Sequence, residues 1–165
     1  MTPVLVTAPT GQPVTLGELK VHLRVTNDAE DDLIEAYAAA AAAYLDGWSG
    51  VLGRCLMPQT WQISATSGDV VLPMPDAASI SAAYVAGATE LTPTATAGGP
   101  CVSITEDCDV TFTCGLPAHL MPLAKQAVNL LVGHWYENRE AVGDAKQEVP
   151  MALDAIIAAI RWRRL

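Results

Sequence analysis

The sequence predicts an α+β protein, mainly α: a small helical bundle with an inserted antiparallel β lobe. Three observations predict it. Apolar residues recur at three- and four-residue steps near both ends of the chain, the spacing that lines one face of a helix. The middle breaks into short β-like runs punctuated by glycine and proline. A length of 165 residues fits one domain.

Residues 1–13 carry Pro3, Pro9, Gly11 and Pro13 and read as an extended arm. Thr15 and Glu18 then form a T-x-x-E capping box, with Val14 and Leu19 placed as a hydrophobic staple. They open a helix over about 15–24. A second helix is expected over about 28–48, started by Asn27-Asp28 and by Glu30, Asp31 and Asp32, acids the helix dipole favours. Leu33, Ile34, Tyr37, Ala41, Tyr44, Leu45 and Trp48 line one face of it. The alanine run 38–43 leaves a smooth surface that suits close packing against another helix.

The β insertion covers about 56–115, with runs at Gln59–Thr66, Val70–Leu72, Ser79–Val85, Val102–Ile104 and Val110–Thr113. Leu91–Pro100 is polar and of low complexity, and reads as a mobile hairpin tip. Helix returns over about 118–138 with the stripe Leu120, Leu123, Ala127, Leu130, Leu131, His134 and Trp135. Residues 138–148 are polar and read as a loop. Pro150 opens a last helix to about 160 with Leu153, Ile156, Ile157 and Ile160 at core spacing. Residues 161–165 form a basic tail.

The composition is 51% hydrophobic and 16% charged, but only 5% aromatic. Much of the apolar share is alanine, so the core is expected to be thin or shared with partners. Eighteen acids against nine basic residues give a formal charge of −9, which argues against a general grip on nucleic-acid phosphates. No apolar run approaches the ~20 residues of a membrane span, and the start does not resemble a signal peptide. A cytoplasmic origin with reduced thiols is expected.

The motifs of chemistry are missing. Cys55, Cys101, Cys108 and Cys114 form no CxxC pair, and small buried hydrophobes are the better reading. His134 and Glu137 stand i, i+3 on one helix but lack an obvious third ligand. The acids at 28, 30, 31 and 32 lack the glycine and terminal glutamate of an EF-hand loop. There is no P-loop, dinucleotide fingerprint or G-x-S-x-G elbow. The residues point to a non-enzymatic assembly module without cofactor or metal.

Several segments in order resemble one family. They are Val14-Thr15-Leu16 through Lys20-Val21-His22-Leu23-Arg24, Asp31-Asp32-Leu33-Ile34, Leu56 to Trp61, Val70 to Pro75, Val110 to Gly115, and His134-Trp135-Tyr136-Glu137-Asn138-Arg139-Glu140. Together they resemble the head–tail connector (adaptor) proteins of long-tailed bacteriophages and gene transfer agents. The resemblance implies a connector domain over 14–160 and a ring of about twelve copies beneath the portal, which closes if each subunit presents two different faces. Such a ring links capsid to tail and extends the DNA channel. The implied partners are the portal protein, a stopper or neck protein, and double-stranded DNA only as passing cargo, with no membrane. The implied location is the particle neck, assembled in the bacterial cytoplasm. A neck stopper or tail-completion protein is the alternative.

Within that reading, Arg161, Trp162, Arg163, Arg164 and Leu165 are the candidates for docking on the portal, since Arg and Trp are enriched at binding hot spots. The alternative is a helix end whose cations complement the dipole. Tyr37, Ala41, Tyr44, His134, Tyr136 and Arg139 are the candidates for subunit contacts, with a structural Arg139–Glu140 ion pair as the other reading of Arg139.

Overall fold

The computed structural model describes residues 2–139 and 151–162. The element order is β1 (Val4–Thr7), α1 (Leu16–Leu23), α2 (Asp31–Leu45), β2 (Gln59–Ala65), β3 (Gly68–Val71), β4 (Ala77–Tyr84), β5 (Gly87–Leu91), β6 (Thr94–Thr96), β7 (Gly99–Ile104), β8 (Cys108–Cys114), α3 (Met121–Glu137) and α4 (Met151–Ile160).

The expectation of a mainly helical protein is corrected. About a third of the described chain is helix and nearly as much is strand. The strands build two antiparallel sheets: a five-stranded one in the order β1-β2-β8-β4-β5, and a three-stranded one in the order β3-β7-β6. Their inner faces share one core of Ile63, Ala65, Val70, Ile80, Ala82, Val102, Ile104, Val110 and Phe112. Alternation along β8 sends Val110, Phe112 and Cys114 inward. The β content escaped the sequence reading because it sits in strands of weak signature. β4 reads AASISAAY, rich in alanine, and β6 is only TAT. Within the Leu91–Pro100 stretch, expected as a hairpin tip, lies β6, which pairs with β7. In the arm 1–13, β1 pairs with β2 as an edge strand.

The helices enclose a second core. Val14, Leu19, Ile34, Ala38, Ala41, Leu45, Leu131, Val132, Leu153 and Ile160 meet there. The capping box forms as the spacing demands: Thr15 Oγ1 accepts from Glu18 N–H at 3.3 Å, and Thr15 N–H donates to Glu18 Oε2 at 2.8 Å. Val14 and Leu19 are both buried in the helical core. α2 is shorter than expected at both ends: it runs from Asp31 to Leu45, and Asp28 pairs with Lys20 at 2.6 Å.

One buried polar side chain stands between the two cores, Gln59, 4% exposed. Its amide N–H groups donate to Asp46 Oδ1 and Oδ2 at 3.0 and 2.9 Å, and its Oε1 accepts from the Trp61 indole at 3.2 Å. Asp46 follows α2 and also accepts from Leu56 N–H at 2.6 Å. The end of a helix is thus hydrogen-bonded to the start of the central sheet. Cys55 and Cys114 are joined as a disulfide across the same junction, with Cα atoms 5.9 Å apart. The partners lie 59 residues apart, and only folding brings them together.

Candidate assembly surfaces

The C-terminal tail meets the body of the molecule at the loop after α2. Trp162 N–H donates to the Leu52 carbonyl at 2.8 Å, and Arg161 N–H continues the helical pattern to Ile157. The Arg54 guanidinium lies 5.9 Å from the Trp162 ring centre and pairs with Asp76 Oδ2 at 2.6 Å. Gly99 of β7 stands beside the indole: a Cβ there would lie 3.5 Å from the Trp162 ring, in ordinary van der Waals contact. Burial pushes the Asp76 carboxyl above its ordinary pKa, against the pull of Arg54. Trp162 is therefore half-buried against its own chain, whereas Arg161 is exposed. Arg163, Arg164 and Leu165 lie outside the described residues, as do Glu140 and most of the loop expected over 138–148.

The other candidates lie on α2 (Tyr37, Ala41, Tyr44), on α3 (His134, Tyr136) and just after α3 (Arg139). Tyr136 donates its hydroxyl to Glu30 Oε2, and Arg139 reaches Glu30 Oε1 at 2.7 Å while lying 4.6 Å over the Tyr136 ring. These two hydrogen bonds, Tyr136 first, hold the Glu30 carboxyl below its ordinary pKa. Tyr37 packs on Trp135 with ring centres 6.3 Å apart. The pair of Tyr136 and Arg139 thus clasps α3 to the start of α2, and Arg139 has found an acid 109 residues away. His134 is half-buried, with its carbonyl accepting from Asn138. Ala41 lies wholly in the helical core, and Tyr44 is 50% exposed.

Further apolar side chains and a groove lie on the surface. Val4, Leu5 and Val6 on β1 are exposed, and Val85 at the β4–β5 turn is fully so. A groove of about 420 Å³ runs between α1 and α2, lined by Val14, Leu16, Leu19, Ala38 and Ala39 among others. The signal available for β1 was its unbroken Val-Leu-Val, masked by the flanking prolines. Among the described residues, no three His, Cys, Asp or Glu side chains gather as metal ligands, and no helix is long and apolar enough to cross a membrane.

Two sheets sharing a core and a helical layer hydrogen-bonded to them define the class: an α+β module with exposed apolar side chains on its helix and strand surfaces. Residues 13–88, from the first capping box to the start of β5, match the Phage gp6-like head–tail connector protein family. The resemblance drawn from the sequence holds for this stretch. The whole fold is similar to that of a chain in the virion of a native gene transfer agent particle. The TM-score is 0.68 at 24% identity, covering 100% of this chain and 97% of that one. It is equally similar to a chain in the neck of the empty particle computed with C6 symmetry, with the same values. A chain in the neck of the native particle computed with C12 symmetry gives a TM-score of 0.64 at 22% identity and the same coverage. At these identities the likeness is one of fold. No curated protein matches the chain.

Proposed function

We propose that this chain is a structural head–tail connector that assembles as a ring beneath a portal, links capsid to tail and does no catalysis. The observation that carries this reading is the family match over residues 13–88, seated in a fold whose full length resembles chains of gene transfer agent necks. Ring assembly draws support from the C12 symmetry of one such neck, and a closed ring of about twelve needs two unlike faces on each copy. The groove between α1 and α2 with Tyr44, and the exposed Val4, Leu5 and Val6 of β1, are surfaces on which a neighbouring copy would bury apolar area. The basic tail from Arg161 is the portal-docking element: Arg161 is already exposed, and Trp162 anchors the tail to the junction it leaves from. A stopper or neck protein is the partner on the opposite side. The acidic chain, at −9 per copy, lets duplex DNA pass a ring without adhering.

The test is co-sedimentation with the cognate portal ring, with electron microscopy of the product, for the full chain and for a chain ending at Ile160. Ring density on the portal from the full chain, lost on truncation, is the expected result. Portal binding by both chains moves the contact to the helices or the β lobe. Binding by neither overturns the connector reading and favours a stopper or tail-completion protein further from the portal.

A further inference from the structure

Cys55 lies in the connection that leaves the helices, and Cys114 ends the last strand before the chain returns to them. Every strand from β2 to β8 lies between the two. Both are buried, at 1% and 3% exposure, and the wholly buried Met74 brings its thioether within 3.1 and 3.5 Å of their sulfurs. The flanking segments run in close contact: a Cβ on Gly115 would lie 3.3 Å from Pro58. The other two cysteines behave differently. Cys101 and Cys108 are unpaired and half-buried on separate sheets. Burial, and then the carboxylates of Asp109, Asp107 and Glu106, keep the Cys108 thiol protonated.

We propose that the neck of the β lobe is a redox-conditioned staple: a buried dithiol in a reducing compartment, and a covalent Cys55–Cys114 clamp once the chain meets a disulfide oxidant. The Cα separation of 5.9 Å lies within the range a disulfide spans, so closure needs no backbone movement. In the reaction, the Cys55 thiolate attacks one sulfur of a small disulfide and releases the first thiolate. Cys114 then attacks Cys55 Sγ and displaces the second. Two electrons pass to the oxidant, which leaves as two thiols carrying the two protons. Both sulfurs are buried, so exchange proceeds while the junction is open, during folding or local unfolding, and the closed bond is shielded from reductant. Cross-linking residues 59 apart constrains the unfolded chain by roughly a thousandfold in the folding equilibrium. The inference is independent of the connector reading.

The test uses the full chain, purified under reductant and then refolded with or without oxidised glutathione. Alkylation of the denatured chain, followed by peptide mass spectrometry, should show Cys101 and Cys108 labelled and Cys55 and Cys114 protected only after oxidation. The oxidised protein should melt roughly 5–15 °C above the reduced one. A Cys101→Ser/Cys108→Ser variant should keep that difference, and Cys114→Ala should melt without regard to reductant. Because Cys114→Ala opens a buried site, the wild-type comparison stands alone if that variant does not fold. Labelling of both Cys55 and Cys114 after oxidation, or a melting temperature unchanged by reduction, overturns the proposal.

Discussion

Two glycines illustrate how a single residue acts here. Gly50 sits in the tight turn after α2, where a Cβ would come within 2.6 Å of the Leu45 carbonyl oxygen and press on the Asp46 backbone. Those are main-chain atoms and cannot rotate away. Gly50→Ala should therefore destabilise the fold by about 1–3 kcal/mol through forced backbone movement. Gly17 lies inside α1 with nothing near its missing Cβ. Gly17→Ala should stabilise by about 0.5 kcal/mol, because alanine loses less backbone freedom than glycine on entering a helix. Urea unfolding of both variants reads the two signs. Local rules of this kind were legible in the sequence: the Thr15–Glu18 capping box depends on a spacing of three residues and formed, and Val14 and Leu19, placed as a staple, are both buried in the helical core.

At the scale of elements, the helices are held by clasps between distant charges. Lys125 on α3 reaches Glu18 on α1 at 2.7 Å. That hydrogen bond, then those from Thr15, hold the Glu18 carboxyl down at about 2, against an ordinary 4.5. A carboxyl depressed in the folded state contributes stability that is present above the unfolded value and lost as pH falls through the folded one. Stability should thus fall between about pH 4.5 and 2, and Glu18→Gln should flatten that limb when unfolding is followed across pH. Asp76 works with the opposite sign: its raised pKa means that its contribution is largest when protonated and is lost as pH rises through the folded value. On the far side of α2, Glu30 with Tyr136 and Arg139 makes the equivalent α2–α3 clasp. Arg139→Ala should leave Glu30 short of one partner and shift its titration upward, measurable by carbon-detected NMR of the side chain. None of these partners could be assigned from a single sequence. Spacings of 106 to 109 residues carry no periodic signal, so Arg139 was as open to Glu140 or a neighbouring subunit as to Glu30.

At the scale of the whole molecule, a helical layer and two β sheets are joined by hydrogen bonds at one junction. Periodicity revealed the helices because 3.6-residue patterns persist over many turns, as along α3. It under-read the β half, whose strands are short and whose alternation is diluted by alanine and threonine. It also missed the joint, because Asp46 with Gln59 and Arg54 with Asp76 sit 13 and 22 residues apart, spacings that carry no periodic signal. The tail tests the joint and the proposed portal contact separately. Trp162 bridges Leu52, Arg54 and Gly99, so Trp162→Ala should lower stability by about 1–3 kcal/mol as the partly buried ring is removed. Arg161 is exposed, and its side chain makes no described contact that holds the fold, so Arg161→Ala should leave the melting temperature within about 1 °C of wild type. If the tail docks on the portal, Arg161→Ala should nevertheless weaken portal binding, and more steeply at low salt, where a charged contact is least screened. Loss of binding in step with loss of stability in both variants would place the tail's role within the subunit. A weaker portal complex from a normally stable Arg161→Ala protein would place it at the interface.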